Sequence, residues 1–364
     1  MKNMAVALAA AGCRVLVMTG RDEDAERDVR IEDGVEVHYW YTRSEIGSPS
    51  VTREVLALAE REGVDLIEGA DLYGECRDLL AVEQRPPIHI KVHGCHVIEV
   101  LRDSHQLKWW QGPLIRASLL RERAQMQRER YCIRNADVLT VPSHRLREEL
   151  IQQGGLAAER AKVLPNPAAP ADSQARLEAE VPTILFVGRI DIGKGIEFLP
   201  ELVRQVRVQV PEAILEIAGG DSYARGLGSI KEWLSREFGE LSGAVRFLGR
   251  LNEESLQDAY RRAWCLILPS RWNNFPTVVL EAMSHGCPVV ASTSGGAPEI
   301  LAETSNVSAA PGSVEFVSGV CSFLTDHALR ERAVEEGRRR VSCEYSGATI
   351  AATYLRVMGL GAND

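Results

Sequence analysis

The sequence predicts an α/β protein of two doubly wound domains, each a mostly parallel sheet covered by helices. Three observations carry this. Short apolar runs of strand length alternate with amphipathic helical segments along nearly the whole chain. A stiff Pro165-Asn166-Pro167-Ala168-Ala169-Pro170 stretch, followed by the polar, helix-prone residues 171–180, interrupts that alternation near its middle. Finally, 364 residues that are 45 % apolar are enough for two ordinary cores.

In the N-terminal half, residues 3–11 form an Ala-rich helical segment stopped by Gly12, and 14–19 an apolar strand. Residues 35–41 alternate as a strand does. Residues 51–62 make an amphipathic helix closed by Gly63. Further strands lie at 65–68, 88–92 and 137–141. Ser143 begins a helix over 143–152 as its N-cap, and 162–164 is a last short strand.

In the C-terminal half, 182–187 is a strand leading into Gly188-Arg189-Ile190-Asp191-Ile192-Gly193-Lys194-Gly195 and a helix from Ile196. Two cations five residues apart flank a turn that opens a helix. Two basic heads and a helix N-terminus there converge on one anion, with a solvated loop as the plain alternative. Residues 213–218 are a strand into Gly219-Gly220-Asp221, and 245–248 a strand into Gly249-Arg250-Leu251. Asn252 then caps a helix that carries Glu253 and Glu254 in its first turn. Residues 264–270 read as a buried strand and 271–274 as a polar loop. Pro276 lies near a helix start, where its missing N–H costs little. Val278, Val279, Ala282 and Met283 share one helix face, Gly286 ends that helix, and 288–291 is another buried strand. Ser294-Gly295-Gly296 places a glycine turn after it, followed by Glu299; from about Ser313 helices dominate.

Ligands of open parallel sheets sit at the C-terminal ends of the strands. Free N–H groups near 276–278 would hold an anion there, and Glu281, about one turn into the helix, faces the same ligand. One such unit is no more than an α/β repeat with a Gly-rich turn. Two in tandem, after the loop at 188–195, point to a phosphate-bearing ligand.

The 264–299 stretch closely resembles the donor-binding signature of family 4 glycosyltransferases of GT-B fold: E-x7-E, then E-A-[MLA]-x-x-G-x-P-V-[IV]-[AG]-x, then G-G-x-x-E. Leu280-Glu281-Ala282-Met283, Gly286, Pro288-Val289-Val290-Ala291 and Gly295-Gly296…Glu299 match; the first Glu of the pattern falls on Asn273. The 188–195 loop has the spacing of the family's G-R-x-x-x-x-K-G motif, and Pro165-Asn166-Pro167 that of its hinge. The resemblance implies two Rossmann-like domains facing a cleft: 1–165 on the acceptor side, 166–340 for the nucleotide sugar, and 341–364 as a terminal helix crossing back. It implies Gly188, Gly219, Arg250, Leu251, Phe275, Pro276, Thr277, Val278 and Glu281 as donor-binding residues. Arg189 and Lys194 would hold the diphosphate, and Asn273 and His93 would contact the sugar. His93, at a strand end, is otherwise a plain loop histidine, and His96 shares its loop. Residues 68–75 resemble the family's [EH]-x-x-D-x-x-[GA]-E loop, which makes Asp71, Tyr73 and Glu75 the acceptor-side candidates.

In that family the N-terminal domain opens with a strand and a Gly-rich loop, whereas this chain starts at the helix that follows. Such a strand buries about four aliphatic side chains at roughly 1.5–3 kcal/mol each. The resemblance therefore implies an N-terminal domain short of its first strand, through truncation or with another segment in the slot.

A net charge of −9 argues against broad nucleic-acid binding. Eight scattered cysteines without a CxxC spacing suit neither a zinc site nor a disulfide framework and fit a reducing cytosol. No apolar run reaches the roughly 18 residues of a membrane span. Residues 102–134 are locally basic and hold Trp109 and Trp110, so they read either as a solvated helix face or as a peripheral contact with anionic lipid. The activity implied is transfer of a sugar, hexosyltransferase-type, from a nucleotide-diphosphate sugar to an acceptor nucleophile. Retention of anomeric configuration, no metal and no cofactor beyond the donor are implied with it. A non-catalytic nucleotide-sugar binder and a GT-B epimerase or phosphorylase are the alternatives.

Overall fold

A computed structural model of the chain describes residues 2–20, 26–41, 47–70, 74–94, 112–152, 158–169, 176–224 and 228–360, leaving aside the side chains of 112–122. The chain divides into two compact units, Met1–Asn166 with Ile350–Asp364, and Pro167–Thr349.

The first unit contains α1 (Lys2–Ala10), β1 (Leu16–Gly20), β2 (Asp28–Glu32), β3 (Val35–Tyr41), α2 (Pro49–Glu62), β4 (Ile67–Ala70), α3 (Arg77–Leu80), β5 (Ile88–Lys91), α4 (Gly112–Asn135), β6 (Val138–Val141), α5 (His144–Gln152) and β7 (Lys162–Val163). Its strands form two sheets rather than the single sheet expected from the alternation. One has the order β1-β3-β2, with β2 antiparallel to β3; the other is the parallel β4-β5-β6-β7. Among the described residues no strand pairs with the second edge of β1 or of β4, which is why the sheets stay separate. Local chemistry sets the helix ends: the Ser48 hydroxyl accepts from Val51 N, Pro49 occupies the first turn, and Gly63 closes α2 in the left-handed region. Ser143 Oγ likewise accepts from Leu146 N at 3.2 Å. Ile88, Ile90 and Val92 are fully buried among Cys132, Ile133, Leu139, Leu146 and Leu150. By the period of two along a strand, the opposite face of β5 carries His89 and Lys91, and His93 follows two residues past the strand's end.

The second unit contains β8 (Thr183–Val187), α6 (Leu199–Gln209), β9 (Ile214–Ala218), the short hairpin β10 (Tyr223–Ala224) and β11 (Gly228–Ser229), α7 (Ile230–Phe238), β12 (Val245–Gly249), α8 (Glu253–Arg262), β13 (Cys265–Leu268), α9 (Thr277–Ser284), β14 (Val289–Ala291), α10 (Ala297–Leu301), β15 (Val307–Ser308), α11 (Val314–Thr325) and α12 (His327–Glu344). Its main sheet is parallel throughout, in the order β12-β9-β8-β13-β14-β15. Ile184, Phe186, Ile217 and Ile267 pack into one core, and Leu185, Leu266, Leu268 and Val289 into another on the opposite face. Burial on both faces explains the continuous apolar runs in the sequence. From β8 the chain adds strands first on one side and then, from β13, on the other. The order reverses between β8 and β13, and a ligand crevice opens at such a switch point.

The closing helix α13 (Gly347–Met358) brings Ile350, Ala351 and Tyr354 against Met4, Leu8 and Leu164 within the first unit. Residues 341–349 belong instead to the second unit, because Val341 and Tyr345 are buried in its core. The helix expected from Ile196 opens as a 3₁₀ turn, Ile196–Phe198, with regular α geometry only from Leu199.

Candidate functional site

The site is built where the loops after β8, β9, β12, β13 and β14 meet. Gly195 sits at φ +72°, and a Cβ there would lie 1.9 Å from Pro269 O, so only glycine lets the loops after β8 and β13 touch. Arg271 laces the same pair: its N–H donates to Gly193 O at 3.2 Å and its Nε to Glu197 Oε1 at 2.7 Å. Asp191 Oδ1 accepts from Gly193 N at 2.8 Å, capping the 3₁₀ turn that ends in Lys194. Arg189 is exposed and makes no ion pair among the described residues.

On the other side, Ile190 N donates to Gly220 O at 2.9 Å, joining the loops after β8 and β9. A Cβ on Gly219 would lie 1.8 Å from Gly188 O, and one on Gly220 would lie 2.6 Å from Arg250 Nε. The Arg250 guanidinium therefore lies over Gly220. It too is exposed and unpaired among the described residues, while Leu251 packs against the core beneath. Exposed, unpaired arginines at the ends of β8 and β12, the two strands that flank β9, create a positive potential that suits an anion. Asp221, the acidic residue on the loop after β9, is tied by hydrogen bonds to the start of α7. Burial would raise its carboxyl, but the hydrogen bonds from Ser229 Oγ at 2.6 Å and Lys231 N at 2.9 Å hold it below the usual range.

At the start of α9, Phe275 and Pro276 are buried, Thr277 is exposed and Val278 half-buried. Pro276 is the N-cap and no side chain caps the helix, so its first N–H groups remain for a ligand. Asn273 O accepts from Gly296 N at 2.9 Å, interlocking the loops after β13 and β14. The Asn273 side chain is half-buried and makes no hydrogen bond among the described residues. Glu281 is held from beneath: Tyr260 Oη donates to Glu281 Oε2 at 3.0 Å. The Tyr260 ring is only 1 % exposed and stacks on His285, with centroids 5.8 Å apart. Burial first, and the Glu281 carboxylate second, push the Tyr260 hydroxyl well above its usual range, so it stays a donor.

The candidates of the first unit fall elsewhere. Asp71, Tyr73 and His96 lie outside the described residues, as do 102–111. Glu75 is half-buried, and that burial raises its carboxyl. Arg123, Arg128 and Arg134 are exposed on α4, while Glu129, Cys132 and Ile133 of the same helix face inward. His93, after β5, is pushed down to about 4, chiefly by burial and then by Lys91. Its ring is therefore neutral near pH 7. Burial alone would raise Glu68, but His89 Nδ1 at 3.0 Å, the Tyr354 hydroxyl and Lys91 outweigh it and hold the carboxyl at about 2. His89 Nε2 contacts Thr140 Oγ1 at 2.8 Å, which completes a buried polar row. Both shifts have one sign in acid. The folded state takes up its proton on His93 later than the unfolded chain, whose histidine titrates near 6.5. Stability contributed there falls as pH drops from about 6.5 to 4. Glu68 follows from about 4.5 to 2. Thermal melts across this range are expected to show a falling Tm, with the upper part of the slope absent in His93→Ala; an unchanged slope in that variant would assign the transition to other groups.

A family model described as "Glycosyl transferases group 1" matches residues 170–340, and one described as "Glycosyl transferase 4-like domain" matches 1–167. The chain belongs to the group 1 glycosyltransferase family.

This group 1 family member is 32 % identical over 220 residues to a sulfoquinovosyl transferase of Arabidopsis thaliana, covering 56 % of the chain and 40 % of the relative. It is 30 % identical over 237 residues to a glycogen synthase of Mycobacterium tuberculosis, covering 63 % of the chain and 55 % of the relative. The chain thus spans about half the length of the curated relatives it matches. Among solved structures, the sucrose-phosphate synthase of Thermosynechococcus elongatus superposes with a TM-score of 0.77 at 24 % identity, over 98 % of this chain and 91 % of that one. The fold is GT-B. The loops that carry 188–195, 219, 250–251 and 273–281 come together at the C-terminal ends of the parallel strands. Tyr260 and His285 lie against Glu281, and sequence reading singled out neither. The signal for Tyr260 is an aromatic on the inward face of α8, four residues after Leu256, which reads equally as core; His285 sits at the end of α9. No helix among the described residues is long and apolar enough to cross a membrane. Glu178, His327 and Glu331 have metal-like spacing, but Arg330 lies 2.6 Å from Glu178 and Arg176 3.1 Å from Glu331, so arginines take up these carboxylates.

Proposed function

We propose that the protein transfers a sugar from a nucleotide-diphosphate sugar to an acceptor nucleophile, with retention of configuration and without a metal. The observation that carries the reading is the gathering of exposed Arg189, Lys194 and the uncapped start of α9 at the switch point between β8 and β13, with exposed Arg250 on the same sheet end after β12. The bond between the anomeric carbon and the diphosphate breaks with its electron pair going to the diphosphate, a bond to the acceptor forms, and the acceptor's proton passes to the departing diphosphate or to solvent. Negative charge grows on the departing diphosphate. Fixed cations there stabilise the transition state more than the ground state. Glu281 accepts from the ribose hydroxyls, and the Arg250–Leu251 strand end flanks the base. His93 acts on the sugar as a neutral ring, and Asp71, Tyr73 and Glu75 serve the acceptor. Incubation with UDP-, GDP-, ADP- and dTDP-sugars in chelator, followed by nucleotide release and the anomeric NMR signal of the product, tests this. Turnover of one donor with retained anomer supports it; a strict requirement for added metal, or inversion, contradicts it.

Asn273 is the specific departure from the family pattern. A glutamate there would offer a charged hydrogen bond of about 1.5–3 kcal/mol, and a neutral amide about 0.5–1.5. The difference is on the order of tenfold in affinity. Because Asn both donates and accepts, Asn273→Glu is expected to change which donor sugar is preferred; an unchanged preference across the panel would remove Asn273 from sugar selection. The same residue favours the second reading, a nucleotide-sugar binder without turnover, which binding in the absence of product would identify. The cysteine pattern supports a cytosolic location. The exposed arginines of α4 support contact with an anionic membrane face, and failure to sediment with phosphatidylglycerol vesicles would exclude that contact.

A further inference from the structure

The carboxylate of Glu281, the ribose ligand in the proposed reaction, is aimed by a neighbouring helix. Glu281 is half-buried on α9 and has two oxygens to share between protein and ligand. Oε2 takes the hydrogen bond from Tyr260 Oη at 3.0 Å. Tyr260 itself is immobilised: its side chain is 1 % exposed at the inner face of α8, and its ring stacks on His285 at an interplanar angle of 24°. His285 is tied back to the same helix turn, its Nδ1 lying 2.8 Å from Glu281 O. Tyr260, Glu281 and His285 thus form a closed triangle across two helices. Moreover, α8 is the helix that follows the Arg250–Leu251 strand end. A rigid phenol therefore links the carboxylate on α9 to the element that begins at the base-flanking loop.

We infer that Tyr260 is a positioning residue for ribose recognition: its phenol occupies Glu281 Oε2 and leaves Oε1 to accept from the nucleoside's ribose hydroxyls. The inference rests on the reading of Glu281 as the ribose ligand. A carboxylate without this bond would swing among rotamers, and ordering it on binding would cost affinity. Among the described residues no second donor reaches Glu281 Oε2, so no neighbour compensates the loss.

The experiment separates the two layers. Calorimetric Kd values are measured for UDP, GDP and ADP and for their 2′,3′-dideoxy counterparts, on wild-type protein, Tyr260→Phe and Glu281→Ala. The expected result is a wild-type preference of about tenfold for the ribose form of the nucleotide that binds, abolished in Glu281→Ala and reduced to within about threefold in Tyr260→Phe, with dideoxy binding unchanged in both. A merely structural role would weaken ribose and dideoxy forms alike, and that pattern overturns the inference. So does a folded Tyr260→Phe that keeps the wild-type preference, which leaves the Glu281 reading standing. A wild type that does not discriminate overturns both, without any variant being needed. The phenylalanine keeps the stack on His285, and its Tm is recorded alongside; Tyr260→Leu is read in the same way if the first variant does not fold.

Discussion

Lys194→Ala is expected to lower kcat by about 10²–10³-fold, the usual consequence of removing one preorganised charge from a leaving-group site. Lys194 closes a 3₁₀ turn whose cap is Asp191 and whose end, Gly195, touches the β13 loop. Its Cα is therefore fixed by backbone contacts on both sides, and the cation needs no reorganisation as charge develops. Because that charge is larger in the transition state than in the ground state, turnover should suffer more than binding. Nucleotide diphosphate affinity is expected to weaken only about tenfold. Single-turnover rates and calorimetric Kd values, measured on the same preparations, check the split. Equal losses in both would mean that Lys194 acts as a uniform binding contact. Arg189→Ala is expected to follow the same pattern, since its guanidinium is exposed and uncommitted.

Gly295→Ala is the second large effect, and it acts through the backbone. Gly295 sits at φ +75°, a conformation that costs an L-residue roughly 1–2 kcal/mol. The added Cβ would also fall 1.9 Å from Asn273 O and 2.9 Å from Asn273 N, so the loop after β13 must move. Strain and displacement together place the cost at roughly 3–5 kcal/mol, in the range reserved for severe core and backbone lesions. The Gly296 N to Asn273 O bond is broken in the process. The expected outcome is a drop of many degrees in the melting of the second unit, together with lost donor binding. A variant with near-normal Tm and normal donor affinity would show that this interlock does not support the site.

The second unit was largely legible in the sequence because its parallel strands are buried on both faces. Residues such as Ile184–Phe186 and Leu266–Leu268 then appear as unbroken apolar runs, each stopped by a glycine or Pro-Ser. Asn252 and Gly286 were legible for local reasons, since a cap and a left-handed stop depend on neighbours within one turn. The strand β2 was missed because Asp-Val-Arg-Ile-Glu is exposed at every position and carries no burial signal. The division of the first unit into two sheets was missed because alternation reports that strands exist, not which edges pair. The late onset of regular helix at Leu199 follows from two glycines and a 3₁₀ turn, which periodicity does not resolve. Within the site, the motif glycines were visible, yet their purpose was not. Gly195 against Pro269 and Gly295 against Asn273 are contacts between loops more than twenty residues apart. Tyr260 was hidden for the complementary reason: a buried aromatic on an amphipathic helix is first of all core.

The measurement that tests the central claim most directly is calorimetric titration of UDP, GDP, ADP and dTDP into the wild-type protein and into a doubly substituted Arg189→Ala, Lys194→Ala variant. The loops at the β8–β13 switch point are predicted to bind one of these diphosphates at a single site, with heat lost or affinity reduced at least about a hundredfold in the variant while its Tm in the absence of nucleotide stays within a few degrees. Equal binding by both proteins would place the nucleotide elsewhere, and no binding of any diphosphate by the wild type would contradict the account.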